Sequence, residues 1–208
     1  MAKTDPWPII HAERQALAAD LESLTDKQWQ TPSLCDGWSV RQVLGHMTQV
    51  TVNTPVKFFP RLIASGFSLN KVSEKEVAKQ MQGTPADTLR RFKESATSKK
   101  HPPGPIDTWL GEAIVHCEDI RRPLKIKHTY PMEALTRLAD SYRKTNLVIG
   151  GKRRVAGLTL RATDADWSAG SGPEVSGPML ALTLMTAGRP QALDELSGEG
   201  VATLKTRM

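Results

Sequence analysis

The stretch TWLGEAIVHCEDIRR, residues 108–122, constrains the fold more than any other. Leu110, Ile114 and Cys117 recur at helical spacing, and Pro123 stops the run because proline disfavours helical geometry in the residue before it. The same turns carry two glutamates, an aspartate, a histidine and two arginines. A helix with one apolar stripe and charged flanks must bury that stripe against a neighbour. Its ionisable residues then stand at the edge of a core.

Other segments repeat the pattern. Residues 8–24 place Ile10, Leu17, Ala18, Leu21 and Leu24 on one face, with Glu13 and Asp20 between them. After the turn-rich TPSLCDGW, Ser39 begins a Ser-x-x-Gln capping box, followed by Val40, Val43, Leu44, Met47 and Val50. This helix is expected to reach residue 53 and to resume after Pro55. Residues 66–105 read as an excursion with a charged helix, SEKEVAKQM, and a second helix that opens at Thr84-Pro85. A further helix is expected over 132–148, ending at Gly150-Gly151. From residue 152 the composition shifts. VAGLTLRAT alternates like a half-buried strand, TDADWSAGSGPEVSG reads as turns, and PMLALTLMTAG as a short apolar helix closed by Gly188. A short helix through Leu193 and Leu196 and a last strand in GEGVATLKTRM complete the reading. The expectation is a mainly α chain, four principal helices over 1–150 and a small α/β unit over 151–208.

The 208 residues suffice for one core, or for one core and a satellite. No apolar run is long enough to span a bilayer, and MAKTDPWPII lacks the build of a secretion signal, so a cytoplasmic protein without a membrane partner is expected. Cys35 and Cys117 are too few for a disulfide framework and read as reduced, semi-buried thiols. The net charge of +6 would attract anions. Its basic clusters at 99–100, 121–122 and 152–154 are dispersed, however, and the low aromatic content argues against a nucleic-acid partner.

Glu112 and His116 are four residues apart and share a helix face. His116 falls beside Trp109 and Ile120 at the edge of the stripe, with Glu112 roughly 40° further out. His46 occupies the flank of the stripe formed by Val43 and Val50. Two helices thus offer imidazoles and a carboxylate, the donors from which helix bundles build metal sites, and three such ligands leave a position open. Alternatively, His46 caps a carbonyl and Glu112 faces solvent or pairs with a basic neighbour. Arg121 either bridges a carboxylate or holds a substrate or cofactor carboxylate through its planar fork.

CDGWSVRQVLGHM (35–47) and GEAIVHCEDIRRPL (111–124) resemble the mycothiol-dependent maleylpyruvate isomerase family of the DinB-like superfamily, and the tail from Val155 to Leu204 is similar to the same group. The resemblance implies a DinB-like four-helix bundle with a long crossover connection, followed by a small α/β C-terminal unit. It also implies a divalent metal, usually zinc, held by His46, Glu112 and His116, with mycothiol or a similar thiol as cosubstrate. In the isomerases the thiolate adds to an electrophilic double bond and later leaves; in related transferases it stays attached. Asp119 and Arg121 are then candidates to orient a ligand or substrate, and Arg121 and Arg122 to bind the cofactor. Arg161 and Arg189 are candidates for the arginine that the family's C-terminal domain supplies. The expected partners are a small thiol and a small electrophile, in a monomer or homodimer. Two other readings are a metal-binding stress-response module without turnover and an iron site with two histidines and one carboxylate.

Overall fold

The computed structural model describes residues 4–147 and 149–208, the side chains at 57 and 69–71 excepted. Residues 1–3, part of the stretch on which the secretion-signal reading rests, and Val148, the expected helix end, lie outside the described residues. The chain divides into two compact units, Met1–His128 and Thr129–Met208, so the boundary lies well before the expected 150/151.

The first unit is helical: α1 (Trp7–Asp20), α2 (Asp26–Trp29), α3 (Val40–Val52), α4 (Pro55–Ala64), α5 (Leu69–Gln80), α6 (Pro85–Ser95) and α7 (Ile106–Arg121). The Ser39 capping box forms as expected: the Gln42 amide donates to Ser39 Oγ, and the Ser39 amide donates to Gln42 Oε1 at 2.8 Å. Thr84 caps α6 in the same way with Asp87. α3 packs against α5, α6 and α7, while α1 packs against α6 and α7. The bundle is therefore α1, α3, α6 and α7, and the long connection between α3 and α6 holds α4 and α5. Ile10, Leu17, Leu44, Met47, Phe92, Leu110 and Ile114 form its solvent-free centre.

The helix expected over 132–148 is not the fourth member of this bundle. It is α8 (Met132–Tyr142), part of the second unit, where it packs against α10 (Met179–Thr186). An apolar stripe says that a face is buried, not against what. α8 also ends early, because the chain folds back at its end. A side chain at Gly151 would sit 2.5 Å from the Tyr142 carbonyl oxygen, so only glycine fits there.

The second unit continues with α9 (Gly151–Arg154), then β1 (Thr159–Ala162), β2 (Ser168–Gly170) and β3 (Glu174–Gly177). The sheet order is β2-β1-β3, with β1 antiparallel to β2 and parallel to β3. The stretch read as turns thus contains both edge strands. A 3₁₀ turn (Pro190–Glu195) follows α10, and the expected last strand is a helix, α11 (Val201–Lys205). The chain bridges β3 at Ser176 and Ser197; Gly198, at φ +108°, then diverts it, the Gly200 amide donates to the Glu174 carbonyl, and the Leu204 amide donates to the Gly200 carbonyl to begin a helical turn. No helix among the described residues is long and apolar enough to cross a membrane.

Candidate metal centre

The loop ahead of α3 is built from its own hydrogen bonds. Ser33 and Trp38 close it through the Ser33 amide and the Trp38 carbonyl at 2.9 Å, and the Ser33 hydroxyl accepts from the Cys35 amide at 3.1 Å. The Trp38 amide donates to the Cys35 carbonyl at 3.0 Å across a turn in which Gly37 takes φ +75°. One further bond ties the loop to α7: the Leu34 amide donates to the main-chain carbonyl of Asp119 at 3.1 Å. Cys35 is thereby fixed beside the face of α7 that carries His116 and Asp119.

Three side chains meet there. Asp119, fully buried, lies 2.8 Å from His116 Nδ1 through Oδ2, and the same oxygen accepts from the Cys35 thiol at 3.0 Å. Cys35 Sγ is 3.6 Å from His116 Nδ1. His46, on α3, stands edge-on to His116 with ring centroids 4.9 Å apart, and Trp38 flanks it at 5.3 Å. Ser73 Oγ on α5 is 3.2 Å from His46 Nδ1. The close approach of α5 to α3 uses Gly45, where an added Cβ would already touch Met81 and Val77.

The two imidazoles are driven apart in basicity. Burial and the neighbouring His116 push His46 down to about 3, against the pull of Asp119. For His116, burial also works downwards, but the hydrogen bonds to Asp119 and Cys35 and the charge of Asp119 outweigh it and hold the group at about 10. At neutral pH the pair holds its extra proton on His116.

Glu112 lies one turn before His116 and is buried. Its Oε2 is 3.4 Å from Nη2 of the fully buried Arg14 on α1, whereas its Oε1 has no hydrogen-bond partner. Burial raises its pKa despite Arg14. Among the described residues, Nε2 of His46 and of His116 likewise takes no hydrogen bond, since both rings are engaged through Nδ1. Two Nε2 atoms and an orphaned carboxylate oxygen are donors that suit a divalent ion. Among the described residues, a different group, Cys35, His116 and Asp119, has its donor atoms within 4.8 Å of one another.

Residues 10–100 match the family model for the mycothiol maleylpyruvate isomerase N-terminal domain, a span that includes Cys35 and His46 and stops before α7. The match covers most of the N-terminal unit and ends within it. The whole chain shares its fold with a crystal structure of the mycothiol-dependent maleylpyruvate isomerase, at a TM-score of 0.64 and 16% identity, over 93% of this chain and 91% of that one. A histidine-to-alanine mutant of that isomerase gives a TM-score of 0.61 at 13% identity, over the same shares of the two chains. Among curated proteins, none matches the chain.

The arginines singled out in the sequence have local partners. Arg121 is fully buried, 2.7 Å from Asp20 Oδ2 and 3.8 Å from Glu13 Oε2, so it bridges α7 to α1. Arg122 is 2.9 Å from Glu118 and keeps part of its side chain in solvent. In the second unit Arg161 pairs with Glu174 at 2.7 Å across the sheet, and Arg189 donates to the Ala187 carbonyl at 3.1 Å. Three participants escaped the sequence reading. Cys35 read as a bystander thiol, and neither Arg14 nor Ser73 lies in a motif; their roles depend on which helices become neighbours.

Proposed function

We propose that the protein is a divalent-metal enzyme, with zinc as the metal, that uses mycothiol or a similar small thiol for isomerisation or S-transfer to a small electrophile. The observation that carries this reading is the buried, orphaned Oε1 of Glu112 close in sequence to His116, whose ring meets that of His46, within a fold whose solved relative is a mycothiol-dependent isomerase. His46, Glu112 and His116 would hold the ion. Bound there, it would supply a Lewis-acidic position at which a thiol loses its proton near neutral pH.

The chain's own residues prepare this position. Ser73 holds the His46 ring by Nδ1, and Asp119 holds the His116 ring by Nδ1, so each leaves Nε2 for the metal. Asp119 is a positioning residue in this scheme. Arg14 balances the charge of Glu112 from α1. Arg121, committed to Asp20 and Glu13, keeps the bundle together, and the partly exposed Arg122 is the arginine we assign to an anionic group of the thiol or substrate. The reading implies small-molecule partners and a cytoplasmic location.

The test is metal analysis of the purified protein and of its His46→Ala and Glu112→Ala variants, with calorimetric titration of mycothiol into each. The expected result is one zinc per chain in the parent, and loss of thiol binding in both variants. Thiol binding retained by both variants would overturn the ligand set. Metal without thiol binding in the parent would favour the non-catalytic binding module.

A further inference from the structure

Cys35, His116 and Asp119 use the opposite nitrogen of His116 from the one assigned above. Their separations are 3.6, 3.0 and 2.8 Å, at hydrogen-bonding distance. Zinc bonded to sulfur at about 2.3 Å and to nitrogen or oxygen at about 2.0–2.2 Å spaces tetrahedral ligands roughly 3.3–3.6 Å apart. The Cys35–His116 edge already has that length, and the two edges at Asp119 need to open by about half an ångström, within the reach of small side-chain rotations. The loop is fixed in place through the Leu34–Asp119 bond, so the three donors are preassembled.

We propose that Cys35, His116 and Asp119 form a thiolate-containing divalent-cation site of their own, which competes with the His46–Glu112–His116 set for a single imidazole. A neutral imidazole has one lone pair in its ring plane: with the proton on Nδ1 it binds metal through Nε2, and with the proton on Nε2 it binds through Nδ1. Occupation of one set therefore excludes the other. The sulfur makes the new site selective for thiophilic ions such as zinc and cadmium over magnesium and calcium. Ion entry displaces the proton of the Cys35 thiol to solvent, and the ring proton of the bound His116 resides on Nε2. Three protein ligands leave the fourth position to water. The proposal shares His116 with the functional reading but does not depend on it.

Cobalt(II), titrated into the full chain without added thiol, separates the two. The expected result is a near-ultraviolet sulfur-to-cobalt absorption in the parent that is lost in Cys35→Ser and retained in Cys117→Ser and Glu112→Gln. Because Cys35→Ser could disturb the loop, the unmodified protein gives a second readout: cadmium should slow alkylation of Cys35 at least about tenfold, as seen by peptide mass spectrometry, while magnesium should not. Cobalt uptake without a sulfur band, or a band that survives Cys35→Ser, overturns the proposal. So does failure of cadmium to protect Cys35. If uptake without a sulfur band also depends on His46 and Glu112, the functional reading stands and this inference falls; if the sulfur band forms and mycothiol binding is indifferent to both residues, this inference stands and the functional reading falls.

Discussion

His46 and His116 are near neighbours with opposite habits, and this sets how the metal-free protein responds to pH. Below 6.5, the ordinary histidine value, an unfolded His46 accepts a proton that the folded one refuses until about 3, so stability falls as the pH drops through that window. Above 6.5 an unfolded His116 gives up a proton that the folded one keeps to about 10, so stability falls again as the pH rises. Melting temperatures recorded in the presence of a chelator should peak near the ordinary histidine value. Asp119→Asn should flatten the alkaline limb and His46→Gln the acid limb. The Arg14–Glu112 pair gives a second expectation. Arg14→Met leaves a buried carboxylate without its cation and should cost about 3–5 kcal/mol in denaturant titration of the metal-free protein. Added zinc should recover part of that loss, because it supplies the missing positive charge. The placing of His46, His116 and Glu112 at the edges of apolar stripes could be read from spacing, whereas their grouping as one ligand set came from the family resemblance. Arg14 was not, since it lies 98 residues from Glu112 and no local pattern points across such a distance.

α3 depends on its first turn. The Ser39 cap satisfies an amide that has no partner within the helix, and Ser39→Ala should lower stability by about 1 kcal/mol in urea titration, with Ser39→Asp close to the parent. The same substitution should weaken zinc binding, because the cap holds the helix that carries His46. The boxes at Ser39 and Thr84 could be read in advance because a cap is a local transaction among four residues. β2 and β3 could not, being three and four residues long and rich in glycine and serine, with Val175 as the buried apolar anchor of β3. The last helix failed for the opposite reason. VATLK has strand-like composition, and only the glycine turn before it decides the outcome.

Every donor discussed above lies in the first unit, so hydrogen exchange should report metal binding there. Zinc should increase protection in α3, in α7 and in residues 33–38, and leave the amides of β1–β3 unchanged. The expected domain boundary followed the change of composition and the Gly150-Gly151 pair. The real one follows the partner of α8, which a helical period cannot name. The bond from Leu34 to Asp119 bears on how such a chain can diverge. It ends on a main-chain carbonyl, so the loop stays docked whatever side chain position 119 carries. Substitutions at 119 can therefore alter the chemistry offered to His116 while the architecture around it persists, giving descendants of this sequence one position at which reactivity drifts separately from folding.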